Sequence, residues 1–389
     1  DDVFNYYESE THLGGGMWIS NYANVVLSGV QILDNETVGA GGGIAMGNYC
    51  QVQIREGTLV HGNKSWYHGG GIYGIYTNVE MTGGEISDNL ATGGSTPHGG
   101  GIFLNAGKLI ASGGSICRNF AGAYGGGGFI STTILSGDVT VTDNKANSHG
   151  GGIFGSVTMS DQARIQGNTS GYGGGVNGTL VMNGGFVCGN TVSGWNGGGG
   201  AAGTVTLNEG EISGNYSTGV GGGVRGTLYM NGGVIKDNTA DGSGGALYGA
   251  GTLSSGEITN NQSASTGGCV YLGENGRNLI ITGDVQIHNN RAARGGAVSL
   301  VGGTVQISGV VISDNHAVVY GGGVYVWTSN ALNPTITIEK EAVISDNQAS
   351  GSGTVPGGQD LYVAATLTVN TGSNPVYYTP VVSLPSANQ

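Results

Sequence analysis

The feature that most constrains the fold is a repeat with two parts. Thirteen times an apolar residue is followed three positions later by asparagine, and a run of two to four glycines comes after each copy. Successive asparagines lie 22 to 32 residues apart, a period typical of solenoids. The pairs are Ile32/Asn35, Val60/Asn63, Ile86/Asn89, Ile116/Asn119, Val141/Asn144, Ile165/Asn168, Val187/Asn190, Ile212/Asn215, Ile235/Asn238, Ile258/Asn261, Ile287/Asn290, Ile312/Asn315 and Ile344/Asn347. Glycine supplies 83 of 389 residues, and its strict phase argues against low-complexity disorder.

Each repeat contains short stretches in which apolar and polar residues alternate, as in residues 221–238. This period of two is typical of half-buried strands, and no stretch keeps the period of a helix. We expect three strands in each repeat, paired with their equivalents on the neighbouring coils. The sequence therefore predicts an all-β fold, a single-stranded parallel β-helix (solenoid) of about 13–14 coils.

The glycine run and the asparagine predict different contacts. The first two glycines are invariant among the copies, which indicates a positive φ or a backbone too crowded for a Cβ atom. The third is replaced only by Ala246, Cys269 and Ala297, which indicates a small inward site. The next residue is usually Ile, Val or Leu and should form an internal aliphatic ladder. The asparagine tolerates a left-handed backbone and should bond its own backbone and the copies on adjacent coils.

The repeat runs almost from end to end, so we expect one elongated domain over residues 14–370. Residues 1–13 should form an N-terminal cap, and residues 371–389 a C-terminal cap or a lead into a further domain, because open sheet edges must be covered. The net charge of −13 disfavours nucleic acid as a partner. No run of 18 apolar residues exists, so no membrane insertion is expected for this segment.

The four cysteines do not suit a disulfide scaffold. Cys117 and Cys188 occupy equivalent positions three coils apart, about 14 Å at the usual strand spacing, which exceeds disulfide reach. Cys269 lies at the small inward site. We interpret all four, including Cys50, as unpaired thiols of a stacked core.

Catalytic and metal-binding patterns are weak. Hydrolysis of a glycosidic bond needs two carboxylates about 5–9.5 Å apart, and the paired aspartates, Gly-His-Gly and Arg-x-Lys of polygalacturonases are absent. The regular acidic residues precede the ladder asparagines, at Asp34, Asp88, Asp143, Asp237, Asp314 and Asp346. The histidines lack zinc-site spacing, although His68 and His98 fall on neighbouring coils. The sequence thus predicts no enzyme, no metal and no cofactor.

Aromatic residues recur at two positions of the repeat. At or just before the glycine run stand His68, His98, Tyr124, His149, Tyr172 and Trp195, with Tyr320 further along. Just after the apolar residue that follows the run stand Trp18, Tyr73, Phe103, Phe154, Tyr248, Tyr271 and Tyr325. These rings could stack as scaffold or form a platform for sugar rings or a partner's side chains, and both can hold at once. The candidate ligand-binding residues are Tyr124, His149, Tyr172, Trp195, His68, His98, Tyr73, Phe103 and Phe154.

A family resemblance rests on the glycine motifs and the asparagines. The motifs are GGAL at residues 244–247, GGAV at 295–298 and GGG[IV] in most other copies, together with the thirteen asparagines. The chain resembles bacterial surface adhesins built as right-handed parallel β-helices. It is similar to the passenger regions of chlamydial polymorphic outer membrane proteins, with their GGA[ILV] and FxxN repeats, and to β-helix repeat surface proteins of gut bacteria. Ile or Val stands where the chlamydial pattern has Phe, which favours a wall-attached or secreted protein of another lineage.

The resemblance implies an extracellular adhesin-type binding region, on a bacterial cell surface or secreted. Its expected partner is a host or microbial surface glycan or glycoprotein. Two alternatives remain open: a carbohydrate-active enzyme, either a polysaccharide lyase or a hydrolase, because the same fold carries both, and a purely structural stalk.

Overall fold

The computed structural model describes residues 13–274, 276–328, 332, 334–339, 341–351, 359–364 and 366–369. Over these residues the chain is all-β without a helix, and parallel strands stack as a right-handed β-solenoid of about 12 turns. The predicted fold class is confirmed. The sequence predicted 13–14 coils, one or two more than the structure has. Apart from Leu13, the predicted caps at 1–13 and 371–389 lie outside the described residues.

The chain divides into two compact units. Among the described residues, unit one holds those up to Thr158 together with Gln162–Ser170, and unit two holds Met159–Asp161 and those from Gly171 onward. Strands β1–β18 are Met17–Ile19, Asn24–Leu27, Gln31–Leu33, Glu36–Thr37, Ile44–Met46, Gln51–Ile54, Leu59–His61, Lys64–Ser65, Ile72–Ile75, Asn78–Ser87, Leu90–Ala91, Ile102–Cys117, Phe120–Ala121, Gly128–Leu135, Thr140–Thr142, Lys145–Ala146, Ile153–Gln166 and Thr169–Ser170. These strands belong to unit one, except for the three residues of β17 that fall in unit two.

Unit two continues the same pattern of strands. Strands β19–β40 are Val176–Cys188, Thr191–Val192, Ala201–Ser213, Tyr216–Ser217, Val224–Met230, Val234–Lys236, Thr239–Ala240, Leu247–Thr259, Gln262–Ser263, Val270–Leu272, Asn278–His288, Arg291–Arg294, Val298–Leu300, Thr304–Ser308, Val311–Ser313, His316–Tyr320, Val324–Trp327, Thr335–Ile338, Val343–Ser345, Gln348–Ala349, Leu361–Ala364 and Thr366–Val369. Pairing is parallel and in register, for example Ile212 with Ile235 and Tyr216 with Thr239. The second pair belongs to a short strand after the asparagine, mostly two residues long, which the sequence analysis missed because so short a strand has no visible alternation.

The predicted aliphatic ladder is present and fully internal. The residue after the glycine run is 0% exposed at Ile72, Ile102, Val224 and Val324. In unit one the register joins Ile44 to Ile72 and Ile72 to Ile102, so the side chains stack turn upon turn. Fully burying one such side chain contributes about 1.5–3 kcal/mol, which makes this column a main source of stability.

The asparagines form ladders inside the molecule, as predicted. In unit one, Nδ2 of Asn63 donates to Oδ1 of Asn89 at 3.0 Å and to the Ile32 carbonyl at 2.9 Å. Oδ1 of Asn89 also accepts the backbone N–H of Asn63 at 3.0 Å. In unit two, Nδ2 of Asn238 donates to Oδ1 of Asn261 at 2.9 Å. Each amide therefore satisfies buried polar groups of neighbouring turns, which accounts for its presence in every copy.

The left-handed conformation belongs to the residue before the asparagine. Its φ is +53° at Asp34, +57° at Asp237 and +59° at Asp346. The assignment of left-handed tolerance to the asparagine itself is therefore wrong. Aspartate, asparagine and glycine are the residues that adopt this conformation most readily. The regular acidic column is thus explained by backbone geometry.

In unit two the ladder ends on an aspartate that the sequence analysis did not identify. Asp360 lies in register with the third glycine of the preceding turn and is 2% exposed. Its Oδ1 accepts two hydrogen bonds from Asn347, one from the backbone N–H at 3.2 Å and one from Nδ2 at 3.0 Å. Asp360 therefore supplies the acceptor that an asparagine Oδ1 supplies on the preceding turn.

Each glycine of the run has its own physical reason. The first has positive φ, as at Gly221 with +65°. A Cβ atom on the second, Gly222, would lie 2.6 Å from the carbonyl oxygen of Gly245. One on the third, Gly223, would lie 2.7 Å from the carbonyl oxygen of Ala246 and 3.3 Å from the Asn238 amide. Both predicted reasons are confirmed for the first two positions, and the third site points at the asparagine ladder.

None of the four cysteines, all of which lie in the described part of the chain, forms a disulfide bond, as predicted. Cys50 and Cys269 are fully buried, and burial raises the pKa of the Cys269 thiol. The interpretation of Cys188 as a core residue is wrong, because it takes the outward position after buried Val187 and is partly exposed. Cys117 takes the same outward position but is 3% exposed, with Nη1 of Arg118 lying 3.2 Å from its Sγ.

Candidate functional site

The rings that precede the glycine runs of unit one form a column. The ring centroids of His68 and His98 are 5.0 Å apart, and those of His98 and Tyr124 are 4.6 Å apart, with planes within 10° of parallel. His149 meets Tyr124 edge to face, at 4.9 Å and 88°. The structure thus brings together four of the predicted site residues on successive turns.

A second column lies against the first. Tyr73, Phe103, Phe129 and Phe154 stack with centroid distances of 5.3, 5.1 and 5.0 Å. The two columns touch, since the rings of His68 and Phe103 are 4.5 Å apart. The sequence analysis missed Phe129 because its run has a fourth glycine in place of the apolar residue that marks the position.

Contact between the columns removes most of these rings from water. Tyr73, Phe103 and His98 are 8%, 6% and 4% exposed, while His68, Tyr124, His149 and Phe154 are partly buried. Burial, aided by the nearby His98, lowers the pKa of His68 to about 3, and burial lowers the pKa of His98 to about 4. Nδ1 of His68 accepts the His98 backbone N–H at 3.1 Å, so this imidazole is neutral and its nitrogen is occupied.

In unit two the predicted residues Tyr172 and Trp195 have different surroundings. The Arg225 guanidinium lies over the Tyr172 ring, 5.1 Å from its centroid, and Nη1 of Arg225 donates to the Tyr172 hydroxyl. This contact spans two turns, because Ala202 occupies the intervening position in register with Arg225. Trp195 is 87% exposed. Of the predicted residues, Trp195 therefore offers the most open aromatic surface.

A third aromatic column, which the sequence analysis did not identify, is exposed. Tyr22, Tyr49 and Tyr76 of unit one are 72%, 55% and 53% exposed. Their ring centroids are 5.3 and 5.8 Å apart, and the planes are within 21° of parallel. We call these three residues the tyrosine ladder. Because rings in contact are separated by about 3.5–4.0 Å, these centroid distances require a sideways shift that leaves part of each face open to solvent.

The tyrosine ladder has an unusual backbone. All three residues have positive φ, +63° at Tyr22, +60° at Tyr49 and +54° at Tyr76. This conformation is uncommon for a bulky residue and costs about 1–2 kcal/mol relative to an ordinary one. The signal was available in the sequence, since the three tyrosines are each 27 residues apart and the first two follow asparagine. The repeats were aligned on the glycine run and on the ladder asparagine, and these tyrosines lie near neither, so the column was overlooked.

Chemistry beyond ring contacts is sparse in the described part of the chain. There, no three His, Cys, Asp or Glu side chains come together as a metal site would require. No helix among the described residues has the length and apolar character needed to cross a membrane. Comparison of the chain with protein-family models, curated proteins and solved structures found no match.

Proposed function

We propose that this chain is the extracellular binding region of a bacterial surface protein, an adhesin that recognises a host or microbial surface glycan or glycoprotein. The observation that carries the proposal is the tyrosine ladder, three partly stacked and exposed rings on successive turns. Each ring is retained at a position where the backbone favours Gly, Asn or Asp. A costly and exposed aromatic residue that repeats in this way supports a binding role.

The chemistry of the tyrosine ladder suits an extended saccharide. Shifted tyrosine rings offer apolar faces with hydroxyl groups at their rims, and tyrosine suits such half-wet surfaces. The polar side chains of Asn21 and Asn48 precede two of these rings, and Oδ1 of Asn21 accepts the Asn48 backbone N–H at 2.7 Å. Sugar rings have apolar faces and hydroxyl edges of matching character. An open surface of this kind binds weakly at one site, so adhesion would depend on many copies acting together.

The rings predicted from the sequence take separate roles in this proposal. Tyr73, Phe103 and His98 act as scaffold, because neighbouring rings cover them. Trp195 is proposed as a second anchor, because its exposed ring is available to a ligand. Tyr172 is treated as scaffold, because its ring contacts Arg225.

Binding is proposed in preference to catalysis or to a stalk role alone. The residue before each ladder asparagine has a left-handed backbone wherever it is aspartate, as at Asp34 and Asp237, and this conformation supplies a structural reason for the column of acidic residues. The net charge of −13 makes nucleic acid an unsuitable partner. A purely structural stalk has no need for three tyrosines in an unfavourable conformation on an exposed edge.

The test is the triple substitution Tyr22→Ala, Tyr49→Ala and Tyr76→Ala, displayed on beads at high density and applied to a glycan array. We expect a loss of glycan binding of at least tenfold, with a small change in melting temperature. Tyr229→Ala is the matched control, since Tyr229 is 43% exposed in unit two and lies outside the ladder. Undiminished binding by the triple variant would reject the ladder as the site, and absence of binding by the parent protein would favour the stalk.

A further inference from the structure

Trp66 of unit one is an exposed tryptophan whose ring lies on the backbone of the next turn. A Cβ atom on Gly93 would lie 2.1, 2.3 and 2.6 Å from Cδ2, Cγ and Cε2 of the indole. These three atoms belong to the five-membered ring, so Gly93 lies under one face of the indole. Trp66 is nevertheless 56% exposed. Because one face is covered, exposure of this extent requires the opposite face to be open to solvent.

The turn that carries Gly93 is longer than its neighbours. Nine residues, 90–98, separate the ladder asparagine Asn89 from the glycine run, whereas five residues do so on the turns before and after, at 64–68 and 120–124. The additional residues include Gly93 and therefore lie where the Trp66 ring needs support. The longer segment and the exposed ring thus belong to one local arrangement.

The longer segment holds a second ring as well. A Cβ atom on Gly94 would lie 3.0 Å from Cδ1 of Tyr67, which is partly buried. Two consecutive aromatic residues therefore lie against two consecutive glycines, where larger residues would meet the rings. Because the indole of Trp66 is supported from below, it has less side-chain freedom to lose when a ligand binds. This support lowers the cost of using the ring as a contact surface.

The surroundings of Trp66 are polar and favour neither sign of charge. Lys64 lies two residues before Trp66 on the same outward side, and its register partner on the preceding turn is Glu36. These opposite charges offset each other, so a neutral ligand fits best. Ser95 and Thr96 follow the two glycines in the longer segment and are exposed, and their hydroxyls both donate and accept hydrogen bonds.

We propose that Trp66 is a platform for a neutral pyranose sugar, which packs one face against the open side of the indole while its hydroxyl groups bond to Ser95 and Thr96. The apolar face and hydroxyl edges of such a sugar match an indole bordered by hydroxyl groups. The inference rests on the proposed function for the class of ligand. It adds a site separate from the tyrosine ladder, because Trp66 precedes the glycine run and Tyr76 follows strand β9.

The experiment follows the indole N–H signal of Trp66 by NMR while the folded chain is titrated with methyl β-glucopyranoside and, separately, with methyl β-galactopyranoside. Trp66→Ala identifies the signal by its loss. We expect a saturable shift with at least one of the two glycosides. Tetramethylammonium tests for a cation site and tetraproline for a peptide site, and neither should shift the signal at the same concentration.

A matched pair of double variants tests the hydroxyl groups while keeping Trp66. Ser95→Ala with Thr96→Ala should weaken glycoside binding at the Trp66 signal about threefold or more, because hydrogen bonds to the sugar are lost. Ser28→Ala with Thr82→Ala removes an exposed serine and an exposed threonine elsewhere in unit one. This control should leave the affinity within about twofold of the parent.

Three results would overturn the proposal. They are the absence of a saturable shift with both glycosides, an equal response to tetramethylammonium or tetraproline, and equal effects of the two double variants. Failure of this site is distinguishable from failure of the tyrosine ladder. A silent Trp66 signal together with lost array binding by the triple tyrosine variant would reject the platform alone. A responding Trp66 signal together with undiminished array binding by that variant would reject the ladder alone.

Discussion

Unit one contains a covered aromatic column and an exposed one. The distances between stacked rings are similar in the two columns, but the exposure of the rings to solvent is very different. The rings of Tyr73, Phe103 and Phe129 are 5.3 and 5.1 Å apart, and those of Tyr22 and Tyr49 are 5.3 Å apart. Yet Phe103 is 6% exposed and Tyr49 is 55% exposed. The first column is covered by the column that contains His68 and His98, whereas the tyrosine ladder is open to solvent. Stacking alone therefore does not reveal whether a ring column is scaffold or binding surface.

Two asparagines of unit two allow the same comparison between a buried and an exposed side chain. Asn238 is 0% exposed, and its Nδ2 donates to Oδ1 of Asn261 at 2.9 Å. Seven residues earlier, Nδ2 of the exposed Asn231 donates to Oδ1 of Asn208 at 2.8 Å. The two hydrogen bonds have nearly equal lengths. The two hydrogen bonds should contribute differently to the free energy of unfolding, because only removal of the buried amide leaves other groups without partners.

The largest expected effect contrasts the two ring columns. Phe103→Ala should lower the free energy of unfolding by about 3–5 kcal/mol, because it opens a cavity between packed rings. Tyr49→Ala should lower it by less than about 1 kcal/mol, because the ring is mostly in water. Thermal and denaturant unfolding of both variants measure the difference. Equal losses would contradict the distinction between a covered column and an open one.

The second contrast uses the asparagines. Asn238→Ala should lower the free energy of unfolding by about 2–3 kcal/mol, since it leaves the Ile212 carbonyl, the Asn215 backbone N–H and one Nδ2–H of Asn215 without these partners. Asn231→Ala should cost less than about 0.5 kcal/mol, because water replaces its partners. Denaturant midpoints of this matched pair provide the measurement. A loss at Asn231 as large as that at Asn238 would reject the internal ladder as the source of stability.

A third prediction concerns pH and the covered histidines. The pKa values of His68 and His98 fall from 6.5 to about 3 and about 4. Well above pH 6.5 both histidines are neutral in the folded and unfolded states, so they do not make stability depend on pH there. Below it the unfolded chain gains protons that the folded chain excludes, so stability falls as the pH decreases towards 4. We expect a loss of about 2 kcal/mol at pH 5.5.

The control for this effect is the double variant His68→Phe with His98→Phe, which keeps aromatic rings in the column. Its melting temperature should decline less between pH 7 and pH 5 than that of the parent. Parallel curves for the two proteins would assign the acid sensitivity to other groups.

The smallest expected effect tests backbone strain in the tyrosine ladder. At Tyr49, where φ is +60°, glycine should be more stable than alanine by about 1 kcal/mol, because only glycine adopts this conformation without cost. At Tyr229, which lies in the extended strand β23, the order should reverse. Melting temperatures of the four variants give both differences. The same order at both sites would remove the argument that the tyrosine ladder is retained at a cost.

Much of the fold could be predicted because the repeat reports inward contacts directly. The residues after the glycine run, such as Ile72, and the ladder asparagines, such as Asn63, are buried as their recurrence indicated. Asp360 could not be found in this way, because it occurs once and its role depends on its position beside the last asparagine. The outward face of Cys188 was misjudged because recurrence at Cys117 was taken for inward packing.

The candidate site was less accessible to sequence reasoning. Alignment on the glycine run identified rings near that run, including Tyr124 and His149, and the structure brings those two into contact. It did not identify Tyr22, Tyr49 and Tyr76, which lie at another corner of the turn. It also gave no reason to connect Tyr172 with Arg225, since Arg225 reaches across two turns past the small Ala202.

The sequence by itself determined the period, the all-β class and the identity of the inward residues, because every turn must bury the same polar and apolar groups against its neighbours. Only the tertiary structure decided which outward columns are covered. Cover depends on whether a second column lies beside the first, as Phe103 lies beside His68. The pattern of one repeat records which side chains recur. It does not record which other columns come to lie over them, since those are brought together only when the turns close.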